Sequence, residues 1–243
     1  MRPNSPDILE DLAPTGRLRV AINLGNPVLV QKGGDGAPKG VTVDLANELA
    51  RRTGLALDLV LFDAAGKVFD ALKSGAWDVA FLAIEPKRAA ELEFTAPYVI
   101  IEGTYMVRQD SPLRAIADFD KPGIRVAVGR GSAYHLYLER TVKNCTLVPA
   151  PTGGEAIAMF VAQKLEAAAN VKQPLVKYAA ENPGFRVIDG RFMEIRQAIA
   201  VPKGRLAAVG YLSAFIEELK ASGFVADALA RSGQDAAVAA PPA

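Results

Sequence analysis

The residues most often used for catalysis are scarce in this chain. Cys145 is its only cysteine and His135 its only histidine. A nucleophilic cysteine needs a histidine close to it in space, and His135 lies in a run, 133–137, that is typical of the start of a helix. One cysteine and one histidine also do not suffice for the usual zinc site. We therefore predict no metal site, an ordinary role for His135 and a small buried side chain at Cys145.

A glycine-containing loop is the second candidate for chemistry. Gly129, Arg130 and Gly131 follow an apolar run and open a helical pattern, as do loops that bind dinucleotides. The third glycine of that fingerprint would fall at Tyr134, so the pattern fails. The sequence also has no phosphate-binding loop and no Ser/His/Asp arrangement. We predict that the protein is not an enzyme and holds no cofactor.

Composition and charge exclude several classes of partner. Lysine and arginine total 28, aspartate and glutamate total 27, and 50% of the 243 residues are apolar. A net charge near zero argues against nucleic acid and against a basic membrane-binding patch. The longest apolar runs have the length of strands, so we expect no membrane insertion. Residues 1–14 lack the apolar core of a signal peptide; either a signal was removed or the protein stays in the cytoplasm.

Short apolar runs alternate with helical patterns in two series along the chain. Such runs are typical of buried strands in a parallel sheet. The predicted strands are 18–22, 55–62 and 77–84 in the first series and 124–128, 146–149 and 165–171 in the second. The predicted helices are 43–52, 67–74, 132–142 and 154–164, with a closing helix in 202–223. This order predicts an α/β fold, with helices flanking a mostly parallel sheet in each series.

Two strand-like segments, 103–108 and 195–202, flank the second series. We interpret them as crossovers that join two lobes, residues 1–107 with 198–243, and residues 108–197. Ligands of open α/β sheets bind beyond the carboxyl ends of the strands. The expectation is a ligand held between the lobes and a hinge closure around it. The Ala/Pro-rich tail after Ser232 is expected to fray.

Four stretches in order resemble family 3 extracellular solute-binding proteins, the receptors of ABC importers for polar amino acids. They are GVTVDLANELA at 40–50, SGAWDVAFLAIEPKRAAELEFTAPY at 74–98, IRVAVGRGS at 124–132 and QAIAVPKG at 197–204. The resemblance covers about Leu18 to Gly223. It implies a two-lobed periplasmic-binding-protein fold, a small polar ligand, an ABC permease as partner and a periplasmic monomer.

The resemblance implies a ligand-binding set in the first lobe. Arg88 corresponds to the arginine that clamps a ligand carboxylate, for which a guanidinium fork is well shaped; the alternative is a structural arginine at a helix start. Glu85 stands where a threonine is common, and either binds a ligand amine or pairs with Arg88 or Lys87. Asn23 and Asn26 match the opening loop of the family, although the usual aromatic residue is missing there.

A second set follows in the other lobe. Gly131, Ser132 and Ala133 match a loop at a helix start, where backbone N–H groups favour an anion. Val171 stands where the family has the aspartate that pairs with a ligand ammonium group. Asn170 beside it either binds ligand or caps a loop.

These departures favour a small carboxylate or comparable anion over a standard L-amino acid, because a buried ammonium group needs a carboxylate. Glu85 is the residue most able to overturn that preference. Two alternatives stay open: a cytoplasmic sensor or scavenger on the same fold, and a dehydratase-like enzyme that uses Glu85, Glu102 or Glu194.

Overall fold

The computed structural model describes residues 5–34 and 36–242. Its packing divides the chain into two compact units, Met1–Ile100 with Arg196–Ala243, and Ile101–Ile195. The predicted lobe boundaries at 107 and 198 lie inside the two long strands that pass from one unit to the other. None of the described helices is long and apolar enough to cross a bilayer.

The strands are β1 (Leu18–Asn23), β2 (Gln31–Lys32), β3 (Pro38–Lys39), β4 (Leu57–Phe62), β5 (Val79–Ala83), β6 (Leu92–Arg108), β7 (Arg125–Gly129), β8 (Thr146–Ala150), β9 (Ala167–Val171), β10 (Phe185–Val187) and β11 (Met193–Pro202). The α-helices are α1 (Pro6–Leu12), α2 (Val41–Thr53), α3 (Ala65–Asp70), α4 (Pro86–Ala89), α5 (Ala133–Thr141), α6 (Gly153–Ala162), α7 (Lys172–Glu181), α8 (Leu206–Ala221) and α9 (Phe224–Arg231). Short 3₁₀ turns occupy Ala71–Ser74, Ile116–Asp118 and Ala236–Val238.

In the first unit the strand order is β4-β1-β5-β11, and in the second unit it is β6-β9-β7-β8, with β10 on β6. In the first unit β1 is parallel to both β4 and β5, and β11 joins β5 in antiparallel register. In the second, β7 is parallel to β8 and β9, and β6 lies antiparallel to β9. The predicted α/β class is therefore confirmed. The crossover predicted at 103–108 is much longer, because β6 begins at Leu92, whereas β11 begins only two residues before the predicted 195–202.

The helices bury the faces that their spacing indicated. Leu45, Ala46 and Leu49 of α2 are buried, and the helix ends at Gly54, which is left-handed at φ 70°. Gly75 is left-handed at φ 62° and closes the 3₁₀ turn after α3. In the second unit Phe160 and Leu175 are fully covered in a core between helices and sheet.

A buried carboxylate joins three parts of the first unit. Asp78, with no exposed side-chain surface, accepts two hydrogen bonds from Arg19, Nε to Oδ2 at 2.8 Å and Nη2 to Oδ1 at 2.9 Å. Arg205 Nη1 also donates to Asp78 Oδ1 at 3.1 Å and to the carbonyl of Asp11 at 2.9 Å. Asp11 Oδ2 in turn accepts from the first N–H groups of α8, those of Ala207 and Ala208. Strand β1, helix α1 and the start of helix α8 are thus connected by hydrogen bonds around the carboxylate of Asp78.

Two expectations about the packing were wrong. The segment after Ser232 does not fray within the described residues: Val99 bridges Ala239, and the N–H of Ala240 donates to the carbonyl of Tyr98 at 2.9 Å. Edge pairing orders a tail whose composition alone suggested disorder. Cys145 is only partly buried, because it lies in the turn before β8, where its N–H donates to Asp120.

Candidate functional site

In the first unit, the predicted charged pair follows the carboxyl end of β5. Glu85 is the N-cap of α4, and its side chain accepts a hydrogen bond from the N–H of Lys87 at 3.3 Å. Pro86 at the first helical position favours the turn, since its ring presets the backbone and it lacks an N–H to satisfy. Glu85 and Arg88 are each 1% exposed. Both charged side chains are therefore buried at one helix start.

Burial determines the electrostatics of Arg88. Its Nη1 donates to the carbonyl of Ala83 at 3.1 Å. Burial lowers the pKa of Arg88 to about 10, and the nearby charge of Glu85 partly opposes that shift. At neutral pH the guanidinium stays charged, so any bound anion that reached it would meet a poorly hydrated cation.

The side-chain oxygens of Asn23 and Asn26 accept hydrogen bonds within their own loop. Asn23 Oδ1 accepts from the N–H of Gly25 at 3.0 Å, and Asn26 Oδ1 accepts from the N–H of Val28 at 3.2 Å. Gly25 is required because a Cβ there would lie 2.4 Å from the carbonyl oxygen of Asp63. The structure thus places these two asparagines as turn formers whose amide nitrogens remain for other contacts.

In the second unit, helix α5 begins directly after β7 with a side-chain cap. Ser132 Oγ accepts from the N–H of His135 at 3.1 Å, which satisfies one of the free donors of a helix start. The N–H of Gly131 donates to His135 Nδ1 at 3.1 Å. Because a backbone N–H can only donate, Nδ1 is the unprotonated ring nitrogen. His135 therefore holds the loop, and the N–H of Gly131 is already engaged.

Helix α6 begins in the same way at the neighbouring strand, and sequence reasoning missed it as a site element. Thr152 Oγ1 accepts from the N–H of Glu155 at 3.1 Å. The Thr-x-x-Glu spacing is a capping pattern that would have identified this start. Among the hydrogen bonds of the described residues, the N–H groups of Ala133 and Tyr134 in α5, and of Gly153 and Gly154 in α6, find no acceptor.

Two polar side chains lie between these helix starts. Tyr134 is 5% exposed; burial raises the pKa of its hydroxyl to about 12, and hydrogen bonds to the Ser132 side chain and the Gly129 backbone oppose the rise. Asn170 Nδ2 donates to the carbonyl of Gly153 at 3.1 Å, and Asn170 Oδ1 accepts from the N–H of Val171 at 2.8 Å. Asn170 is therefore a link between β9 and α6, and Tyr134 is a residue that the sequence did not single out as ligand-binding.

Two glycines keep this corner open. A Cβ on Gly129 would lie 2.6 Å from the Tyr134 hydroxyl, and a Cβ on Gly153 would lie 2.9 Å from Asn170 Nδ2 and 3.0 Å from that hydroxyl. The register pairs Gly129 with Ala150 across β7 and β8, which brings the two helix starts side by side. Neutral hydrogen-bond donors thus lie together at the carboxyl ends of the parallel strands of the second unit. The positive ends of the α5 and α6 dipoles lie at the same strand ends.

Val171 ends β9 and is 6% exposed. The next residue, Lys172, donates from Nζ to Glu102 Oε2 at 2.8 Å, and Arg191 Nη1 donates to Glu102 Oε1 at 2.7 Å. These cations lower the pKa of the Glu102 carboxyl. The nearest acid on the adjoining strand is therefore already paired with two cations.

The described residues contain no group of three or more His, Cys, Asp or Glu side chains placed to hold a metal ion. The side chains at the two strand ends offer hydrogen bonding and charge.

The sequence from residue 18 to residue 233 matches the family model of bacterial extracellular solute-binding proteins, family 3. Among curated proteins, a membrane-bound lytic murein transglycosylase F from Maricaulis maris is 30% identical over 135 residues, 53% of this chain. That match spans 28% of the transglycosylase, so the chain is similar to one part of a much longer protein.

Solved structures share the fold at low identity. An L-cysteine solute receptor of Neisseria gonorrhoeae superposes with a TM-score of 0.80 and 20% identity, covering 93% of each chain. An amino acid ABC transporter substrate-binding protein of Streptococcus pneumoniae bound to L-arginine has a TM-score of 0.79 and 21% identity, covering 95% of this chain and all of that one. At these identities the likeness concerns the fold.

Proposed function

Because the chain belongs to the bacterial extracellular solute-binding proteins, family 3, we propose that it captures one small anionic solute, a carboxylate in the first instance, and releases it unchanged. The observation that carries the proposal is the pair of helix starts in the second unit, where Ser132 and Thr152 cap neighbouring helices. An ABC permease as the receiving partner, a periplasmic location and a monomeric state belong to the same proposal.

The helix starts suit a carboxylate because they combine donors with positive dipole ends. The N–H groups of Ala133, Tyr134, Gly153 and Gly154 leave donors for ligand oxygens, and an anion at a helix start is favoured by the partial charges there. Asn170 and the Tyr134 hydroxyl add neutral hydrogen-bonding groups. None of these groups is a base of ordinary catalytic pKa, which is why we propose binding without turnover.

The choice of an acid over an amino acid rests on Val171 and Glu85. A valine that is 6% exposed offers no charge to an ammonium group. Glu85, the residue that would replace the missing acid, is 1% exposed and caps its own helix. Its local engagement supports a site without an ammonium partner, since an unpaired buried ammonium is strongly disfavoured.

The test is a thermal-shift screen of small carboxylic acids, small inorganic anions and the amino acids glutamine, histidine, glutamate and arginine, followed by calorimetry. We expect a carboxylic acid to bind in the micromolar range and the four amino acids to bind more weakly. Micromolar binding of an amino acid that is abolished by Glu85→Gln would contradict the proposal, because it would show that the ammonium site had moved to the first unit.

Arg88→Ala tests the assignment of the carboxylate clamp. If Arg88 contacts the ligand, its removal weakens binding by several kcal/mol, as expected for loss of one partner of a buried charged pair. Urea unfolding of the same variant separates a folding defect from a binding defect. Unchanged affinity in a folded variant would leave Arg88 as a structural residue held by Ala83.

A further inference from the structure

A pocket lies in the second unit at the sheet edge opposite the helix starts. Its volume is about 230 Å³, and its floor is formed by Leu113, Ile124 and Leu165. Ile124 precedes β7, and Leu165 precedes β9, so the pocket opens at the amino-terminal ends of the parallel strands. Drug-sized ligands occupy about 300–1,000 Å³, and this pocket therefore suits a smaller molecule.

Arg108 stands at the wall of the pocket in a fixed orientation. Its guanidinium lies 5.5 Å from the ring centres of both Phe160 and Phe185. Its Nη2 donates to the carbonyl of Val161 at 3.1 Å. A guanidinium held by two rings and a carbonyl keeps further N–H donors in a set direction, so little order is lost when an anion binds.

Lys164 occupies the left-handed position that ends α6, where the N–H of Lys164 donates to the carbonyl of Val161 and the N–H of Leu165 to the carbonyl of Phe160. It is the one non-glycine residue in the described chain with a positive φ, at 50°. This conformation costs a side-chain-bearing residue about 1–2 kcal/mol, and glycine is the usual occupant after a helix end. Within the part of the chain that the structure describes, Lys164 Nζ makes no ion pair.

The charged residues that line the pocket carry a net positive charge when Glu166 is counted as paired with Arg125. Glu166 is bound by Arg125 through Nε and Nη2, both at 2.9 Å, and by its backbone N–H at 2.8 Å. Arg186 lies behind the pocket and donates to the carbonyls of Ser111 at 3.0 Å and Leu113 at 2.6 Å. With Glu166 neutralised, only Asp110 opposes the charges of Arg108 and Lys164 in the wall.

We propose that this pocket is a second ligand site, distinct from the helix starts, and that it binds a small monocarboxylate with a short apolar chain. The apolar part lies on Leu113, Ile124 and Leu165, and the carboxylate faces Arg108 and Lys164. The site is independent of the solute-binding function proposed above, because none of its residues belongs to that corner of the unit.

The experiment is a titration of the isotopically labelled full chain with hexanoate, followed by two-dimensional NMR. Hexanamide is the matched neutral probe. We expect hexanoate to shift the amide resonances of Leu113, Lys164 and Leu165, and hexanamide to bind about tenfold more weakly because it lacks the charge. Equal binding of the two probes would overturn the proposal. So would shifts confined to residues 132–134, which would place hexanoate at the helix starts.

Lys164→Gly separates strain from binding. The variant relieves the left-handed conformation, so its melting temperature should rise by about 2–4 °C, while its affinity for hexanoate falls about tenfold. Lys177→Gln, on the exposed surface of α7, is the control and should bind as the parent does. A stabilised Lys164→Gly variant with unchanged hexanoate affinity would overturn the role of the lysine and, with it, the site.

Discussion

In the first unit Asp78, Glu85 and Arg88 are charged side chains with at most 1% of their surface exposed, whereas Tyr134 and Asn170 at the strand ends of the second unit are neutral. Asp78 has no exposed side-chain surface and is held by Arg19 and Arg205. Tyr134 and Asn170, by contrast, bring a hydroxyl and an amide to a corner where helix N–H groups lack acceptors. Paired buried charges secure a fold because breaking a pair is costly. Neutral donors leave room for a charge that arrives with the ligand.

The largest expected effect comes from the charged region. Asp78→Ala would leave Arg19 and Arg205 without their shared acceptor, and we expect the free energy of unfolding to fall by about 3 kcal/mol. Urea unfolding measures the change. The matched control is Asp58→Ala. Asp58 lies on β4 and accepts hydrogen bonds from Arg17 at both carboxylate oxygens. The side chains of Arg17 and Asp58 are 53% and 42% exposed. Similar losses in the two variants would remove the distinction between buried and exposed charge.

The second prediction concerns the neutral region and distinguishes binding from stability. Gly153→Ala would place a methyl group 2.9 Å from Asn170 Nδ2 and 3.0 Å from the Tyr134 hydroxyl. Both atoms end side chains that can shift, so the fold should tolerate it, while affinity for the acid found in the screen should fall about tenfold. Calorimetry and thermal unfolding report the two quantities.

Gly184→Ala is the control for that experiment. No atom would lie within 4 Å of its new methyl group, and Gly184 precedes β10, away from the helix starts. We expect unchanged affinity. Equal losses of affinity at positions 153 and 184 would show that the open corner between Tyr134 and Asn170 is not where the ligand binds.

The smallest expected effect is the pH dependence of an ion pair nearer the surface of the first unit. Hydrogen bonds from Arg51 and then Arg52 lower the pKa of Glu48 from 4.5 to about 2. Because the folded pKa lies below the unfolded one, the stabilisation is complete above pH 4.5 and is lost as the pH falls towards 2. Such pairs contribute about 0–1 kcal/mol.

Glu48→Gln should therefore be slightly less stable than the parent near neutral pH, and the difference should vanish in strong acid. Urea unfolding across that range measures it. A difference that stayed constant with pH would show that Glu48 acts through packing and not through its charge. It would then weaken the contrast between exposed and buried charge in this unit.

Helices and strands could be predicted from the sequence where apolar residues recur at a regular spacing. Leu45 and Leu49 recur at helical spacing, and α2 buries both. The run at 79–83 is apolar throughout, and every residue of β5 is buried. These patterns, taken in two successive series, also predicted the α/β class. The family followed from the resemblance of four sequence stretches, and the family model that matches residues 18–233 confirms it. Helix α9 was missed although Val225, Ala228 and Leu229 recur at helical spacing. The ordered tail was missed because its order comes from edge pairing.

What the sequence by itself determined is the alternation of strands and helices in the two series and the helix start at Ser132. Only the tertiary structure decided which polar groups meet. Tyr134 approaches Gly153 because β7 and β8 pair Gly129 with Ala150; that register joins residues far apart along the chain. The same holds for Arg88, whose burial depends on how α4 packs after β5. Hydrophobic periodicity in the sequence indicates which face of a helix or strand is buried. A binding site depends on the distances between residues of different helices and strands, which only the tertiary structure sets.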